Sequence, residues 1–248
     1  MATTLLQTEG LTKRFGHFVA LDNVSVGFRE GELAAVIGPN GAGKSTFFNL
    51  LSGSFPPTAG RLTFEGRDIS GLPQHAFTRC GIAKSFQITN VFPNLPALEN
   101  VRIAVQARYA RFNIWTPRRK LTEVIDNAAA LMEATGILPH ARRTASSLAH
   151  GEQRALEIAM ALASNPRLLL LDEPTAGMSP EETRAMMDLI ARLARERTII
   201  LVEHKMKLVM GLCQRLIVLH HGQLLAVGTP EEIRAHPSVR RVYLGQRH

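Results

Sequence analysis

Residues Gly38-Pro39-Asn40-Gly41-Ala42-Gly43-Lys44-Ser45-Thr46 set glycines, one lysine and two hydroxyls in the spacing G-x-x-x-x-G-K-[ST], the pattern of a loop that cradles phosphate. The glycines let the backbone turn tightly and aim N–H groups at phosphate oxygens, and the N-terminus of a following helix adds a partial positive charge. Lys44 would reach the β- and γ-phosphates, and Ser45 would offer its hydroxyl to Mg²⁺. The apolar run Leu33–Ile37 reads as a buried strand and Ser45–Leu51 as a helix, the context this chemistry requires. A glycine-rich turn with an incidental lysine would leave both flanks unexplained.

A second chemical cluster lies downstream. Leu168-Leu169-Leu170-Leu171-Asp172-Glu173 reads as a fully buried strand that delivers carboxylates at its C-terminal end, where ligands sit in open α/β sheets. Neighbours on an extended segment point to opposite sides, which sends Asp172 toward the Mg²⁺ site and Glu173 toward a water attacking the γ-phosphate. Leu148-Ala149-His150-Gly151-Glu152-Gln153 precedes a helical stretch, Arg154–Ser164, closed by Asn165-Pro166.

The elements that must position these groups are legible in outline. Leu5–Thr8, Val24–Phe28, Arg61–Phe64, Ile82–Phe86 and Thr198–Val202 read as strands, and Pro56–Gly60 as a turn. Ala97–Arg108 and Leu121–Thr135 repeat apolar residues at helical spacing, with Gly136 as a C-terminal cap. Lys13–Gly16 reads as a polar loop whose Phe15 ring either stacks on adenine or folds back onto the core. The apolar loop from Ile88 to Pro96 either receives a partner or lays Val91, Phe92 and Leu95 over the core.

With 45% hydrophobic and 20% charged residues, the 248-residue chain has ample material for a core and is too mixed for disorder. No apolar run approaches the length of a bilayer span, and Met1–Thr4 carries no signal segment. Cys80 and Cys213 stand far apart and read as reduced structural residues. The formal charge of +8 suits an anionic partner, but Arg118-Arg119-Lys120, Arg142-Arg143 and Arg240-Arg241 lack interleaved aromatics. Nucleic acid is therefore not expected as a partner.

In order and approximate spacing, the phosphate loop, Gln87, Leu148–Gln153, Leu168–Glu173, Ala176–Ser179 and His204 resemble an ATP-binding cassette (ABC) ATPase along nearly the whole chain. The resemblance implies an α/β fold: a P-loop NTPase with a RecA-like core, an N-terminal antiparallel β region and an inserted α-helical lobe. One ABC ATPase domain would fill residues 1–248, with a core lobe over about 1–87 and 166–248 and a helical lobe over about 88–165. ATP and Mg²⁺ are the implied substrate and cofactor. Carried over by position, Gln87 touches Mg²⁺ and the attacking water while sensing a membrane partner, and Phe15 is the adenine-stacking aromatic. Leu148, Ala149, His150, Gly151 and Glu152 are the signature that binds the γ-phosphate held by a second ATPase subunit, in a head-to-tail homo- or heterodimer. Ala176–Ser179 links the two sites, and His204 is a switch histidine.

The usual signature is Leu-Ser-Gly-Gly-Gln; here Ala149, His150 and Glu152 replace serine, the first glycine and glutamine. A phosphate-binding hydroxyl is lost, while the N–H groups near Gly151 remain and His150 stands as a possible extra donor. The segments Phe47–Gly53, Ser85–Phe92, Leu148–Arg154, Val202–Met206 and Gly228–Ile233 resemble the ATPase of branched-chain amino acid importers. That implies integral membrane permease subunits, a substrate-binding protein linked indirectly, and a peripheral place on the cytoplasmic face of the cell membrane. Importers of urea, amides or aromatic compounds, and a lipid exporter, remain alternatives. So do a soluble ABC ATPase acting on nucleic acid or the ribosome and a nucleotide-binding module without hydrolysis.

Overall fold

The computed structural model describes residues 3–85, 91–109 and 122–244. Among these lie strands β1 (Thr4–Phe15), β2 (Phe18–Arg29), β3 (Leu33–Ile37), β4 (Ala59–Phe64), β5 (Arg67–Asp68), β6 (Ile82–Ser85), β7 (Leu168–Asp172), β8 (Thr198–Val202), β9 (Arg215–His220) and β10 (Gln223–Gly228). The helices are α1 (Lys44–Leu51), α2 (Gln74–Cys80), α3 (Ala97–Tyr109), α4 (Thr122–Ala134), α5 (His150–Leu162), α6 (Pro180–Leu193), α7 (Met206–Leu212), α8 (Pro230–Ala235) and α9 (Pro237–Leu244).

The strands form two sheets. One is antiparallel in the order β2-β1-β4-β5; the other runs β10-β9-β3-β8-β7-β6, parallel except for the edge strand β10. Every residue of β3, β7 and β8 is buried, as expected where both faces of a parallel sheet are covered. The period-two alternation sorts these residues into two cores. Ala35, Ile37, Leu169, Leu171, Ile199 and Leu201 pack with α3 to α7, while Val36, Leu168, Leu170, Ile200 and Val202 pack with α1 and the inner face of the antiparallel sheet.

The N-terminal hairpin is longer than the sequence pattern indicated. Instead of two short strands around a loop, β1 and β2 are twelve-residue partners joined at Gly16-His17, so Phe15 ends a strand. The reason is bulging: register shifts between Thr4 and Leu6, and again from Thr8 to Lys13, put Leu5 and Leu6, then Leu11 and Thr12, inside as adjacent pairs, which hides the alternation. Gly60 likewise opens β4 rather than closing a turn. It sits at φ +85° against β1, where an added Cβ would lie 2.3 Å from the Gly10 carbonyl oxygen.

Helix α5 starts at His150, not after Gln153, so the signature segment supplies its first turn. Ala149 at the N-cap has no side-chain acceptor, but the Glu152 carboxylate accepts the Ala149 N–H at 2.8 Å and keeps half of a capping box. Without a serine, threonine, aspartate or asparagine at the cap, this start carries no ordinary sequence signal. By contrast, α6 and α8 open with full capping boxes, Ser179 with Glu182 and Thr229 with Glu232, each with proline next in line.

Gly60→Ala should lower stability by about 1–3 kcal/mol, read as a fall in Tm of roughly 2–4 °C per kcal/mol; an unchanged Tm would contradict the close strand crossing. Cys213 is buried, and desolvation, helped by nearby Glu203, pushes its thiol up to about 12. At pH 8, iodoacetamide should therefore label Cys80 in the native protein and Cys213 only after unfolding, as mapped by mass spectrometry.

Candidate functional site

The phosphate loop follows β3, at the edge of the sheet where the parallel strands end. Gly43, at φ +94°, caps α1, and a Cβ there would lie 2.7 Å from the Ala20 carbonyl oxygen, so the close approach to β2 requires glycine. The Ala42 N–H bonds the Pro39 carbonyl, and the Ala42 carbonyl accepts from Gly222 N, which ties the loop to the β9–β10 turn. Lys44 folds back over the loop and donates to the carbonyls of Gly38 and Pro39 at 2.8 and 2.9 Å. Burial holds its ammonium below the usual lysine range, with the Glu173 carboxylate opposing that shift. Ser45, Asn40 and Gly41 are exposed, while Pro39, Gly43 and Thr46 are partly buried.

Asp172 ends β7 and is buried. Its Oδ2 lies 3.6 Å from Lys84 Nζ, and Lys84 also donates to Asn49 Oδ1 of α1 at 2.7 Å. Burial raises the Asp172 carboxyl and lowers the Lys84 ammonium, each partly restored by the other. Asp172 Oδ1 is buried with no hydrogen-bond partner among the described residues. Glu173 departs from expectation in how it is aimed. The strand ends at Asp172 and Glu173 takes φ +47°, so a left-handed kink rather than strand alternation separates the two acids. Glu173 Oε1 then meets His204 Nε2, at the end of neighbouring β8, at 2.7 Å. An ionised carboxylate only accepts, so Nε2 carries the hydrogen.

The signature segment makes its polar contacts elsewhere. Leu148 is buried, the Glu152 carboxylate also meets His140 at 3.0 Å and Arg143 at 3.3 Å, and His150 Nε2 donates to the Ala176 carbonyl at 2.9 Å. Gly151 N–H donates to Glu182 Oε1 at 3.0 Å. His150, a possible extra donor to phosphate, here braces the loop after Glu173.

Phe15 is 48% exposed, so it is not folded into the core; its ring stands nearly perpendicular to that of Phe55 with centroids 5.5 Å apart, and Lys13 Nζ lies near both rings. Gln87 lies outside the described residues. In the apolar loop beyond it, Phe92 and Leu95 are exposed while Val91 packs on the core. Lys84, Thr175, Glu182, Glu203 and Lys205 enter the site without having been singled out in the sequence. A lysine within the short apolar run Ile82–Phe86, and an acid directly before His204, were the available signals.

Among the described residues no group of three or more histidines, cysteines or acids could by itself hold a metal. The donor set is instead one hydroxyl, Ser45, and one carboxylate, Asp172, with a free buried oxygen. That fits a hard cation which keeps water and takes phosphate oxygens as further ligands. Among the described residues no helix is long and apolar enough to cross a membrane.

A family model described as ABC transporter matches residues 21–176, and one described as branched-chain amino acid ATP-binding cassette transporter matches residues 223–248. The chain is 45% identical to the high-affinity branched-chain amino acid transport ATP-binding protein LivG of Salmonella typhimurium, over 99% of this chain and 100% of that protein. It is 42% identical to the protein of the same description, BraF, from Pseudomonas aeruginosa, over 99% and 100%. The crystal structure of the ADP conformation of MJ1267, an ATP-binding cassette of an ABC transporter, matches with a TM-score of 0.86 at 28% identity, covering 98% of this chain and 100% of that one. With a phosphate loop, paired carboxylates and a histidine gathered at one sheet edge, and with these likenesses along its length, the chain belongs to the ABC transporter family as an ATP-binding ATPase.

Proposed function

We propose that this chain hydrolyses ATP to drive import of branched-chain amino acids, with Glu173 as the general base and His204 as its orienting partner. The 2.7 Å contact between them, at the ends of adjacent strands beside the phosphate loop, supports this most directly. The substrate class rests on the relatives' names and on the match of residues 223–248.

In this reading the N–H groups of Gly38–Thr46 hold the phosphates, and Lys44 leaves the Gly38 and Pro39 carbonyls for the β- and γ-phosphates. A polyanion there supplies the negative charge that buried Lys44 lacks. Ser45, Asp172 and Gln87 would hold Mg²⁺, which when bound neutralises charge on the phosphates. Glu173 orients the attacking water and accepts its proton; His204 fixes the carboxylate and, with Lys44, stabilises charge on the transferring group. Phe15 stacks on adenine.

Leu148–Glu152 would meet the γ-phosphate of a second cassette. The loss of the serine hydroxyl and the capture of Gly151 N–H by Glu182 make this a weaker anion site, left to the other amides of the first turn of α5. The second cassette subunit, two permease subunits and a substrate-binding protein complete the machine. The exposed Phe92 and Leu95 surface faces the permease, Gln87 senses that partner, and the chain lies peripherally on the cytoplasmic side. The lobes are assigned to about 1–87 with 166–248 and about 88–165.

Glu173→Gln keeps the side chain's size and removes the base. It should bind ATP as the wild type does and hydrolyse it ~10²- to 10⁴-fold more slowly; near-normal turnover would refute the assignment. The same variant, tagged and purified from native membranes with ATP and Mg²⁺, should retain two integral membrane subunits and a second cassette. Co-purifying ribosomes or nucleic acid, with no membrane protein, would overturn the transport reading.

A further inference from the structure

Thr175 lies two residues beyond Glu173, is fully buried, and is held from both sides of His204. Glu203 Oε1 accepts from Thr175 N at 3.1 Å and from Thr175 Oγ1 at 2.6 Å. Glu203 Oε2 accepts from His204 N at 3.1 Å, and Lys205 Nζ donates to the Thr175 carbonyl at 3.1 Å. The N–H, hydroxyl and carbonyl of Thr175 are therefore all engaged by the two residues that flank His204. Glu203 itself is only 3% exposed, and both its oxygens are occupied by these donors.

The Glu173 and His204 side chains are both solvent-accessible, His204 the more so. A short contact between such groups holds its length only if the backbones beneath them are fixed. One tie is the Glu173 N–H, which donates to the Val202 carbonyl at 3.0 Å as β7 and β8 end. Among the described residues, the ties beyond the strands are those of Glu203 and Lys205. We propose that Glu203, Thr175 and Lys205 form a clamp that registers the loop after β7 against the loop after β8, and are positioning residues for hydrolysis. The inference rests on Glu173 and His204 being the hydrolytic pair. Hydrogen bonds to a buried carboxylate are stronger than neutral ones, so the Glu203–Thr175 half dominates and exposed Lys205 adds less.

Thr175→Val keeps shape and removes the hydroxyl donor; Thr175→Ser retains it. In the transporter complex, Thr175→Val should lower kcat roughly ten-fold or more with KM for ATP within about two-fold, and Thr175→Ser should restore most of the rate. In a His204→Ala background, Thr175→Val should cause no further fall in the single-turnover rate, because the contact it sets is already gone. A purely structural role would instead repeat its full effect there, and that result overturns the clamp. So does a wild-type kcat in Thr175→Val, a loss seen only in KM, or failure of Thr175→Ser to restore the rate. If Thr175→Val does not fold, Lys205→Met at the exposed end should give a smaller fall of the same kind, and an unchanged kcat there overturns the proposal. Glu173→Gln run alongside separates the two readings: normal turnover in that variant removes the hydrolytic pair and the clamp together, whereas its loss beside a normal Thr175→Val removes the clamp alone.

Discussion

Burial of β3, β7 and β8 on both faces leaves these strands no place for charge except where they end. A carboxylate or ammonium within the sheet would be desolvated with nothing to compensate it, so the chemistry collects at the C-terminal edge. Asp172 and Lys84 show the limit of tolerance: both are buried, and they lie 3.6 Å apart. Desolvation still pushes each toward its neutral form, so the pair is only partly self-sufficient. Lys44 follows the same logic, with two carbonyls around its ammonium and burial holding its proton affinity down.

From that constraint the loops acquire their form. Glu173 cannot continue β7 and still reach sideways to His204; its left-handed backbone makes the turn, and the surrounding hydrogen bonds hold a conformation a non-glycine residue rarely adopts. The next residues connect outward. Thr175 meets Glu203, Ala176 meets His150, and Ser179 caps α6 with Glu182, whose other oxygen takes Gly151 N–H. One short segment thus touches the acid–histidine pair at one end and the signature helix at the other.

The departures in the signature have a structural counterpart. With Ala149 at its cap, α5 is closed by Glu152, which is also paired with His140 and Arg143. The Glu182 carboxylate, held below its usual range by the N–H groups of Ser179 and Gly151, sits where an anion is favoured. The helix start is therefore stabilised within the chain by acids rather than by a hydroxyl. A phosphate approaching it would meet the amides that Glu152 and Glu182 leave over.

The sequence by itself determined the phosphate loop, the buried strand that ends at Asp172 with Glu173 directly after it, and the family, because these depend on residue type at short spacing and on local periodicity. It also carried the capping boxes of α6 and α8, where side chain and backbone meet within four residues. Tertiary structure decided the rest. The bulges that lengthened β1 and β2 come from pairing with a neighbouring strand, and the start of α5 comes from Glu152 reaching back to a cap that carries no signal of its own. The partners of Lys84, Glu203 and Lys205 stand 88, 28 and 30 positions away, at Asp172 and Thr175. No local pattern encodes such contacts. They exist because parallel strands distant in sequence end side by side, and a buried charge must find its partner across that edge.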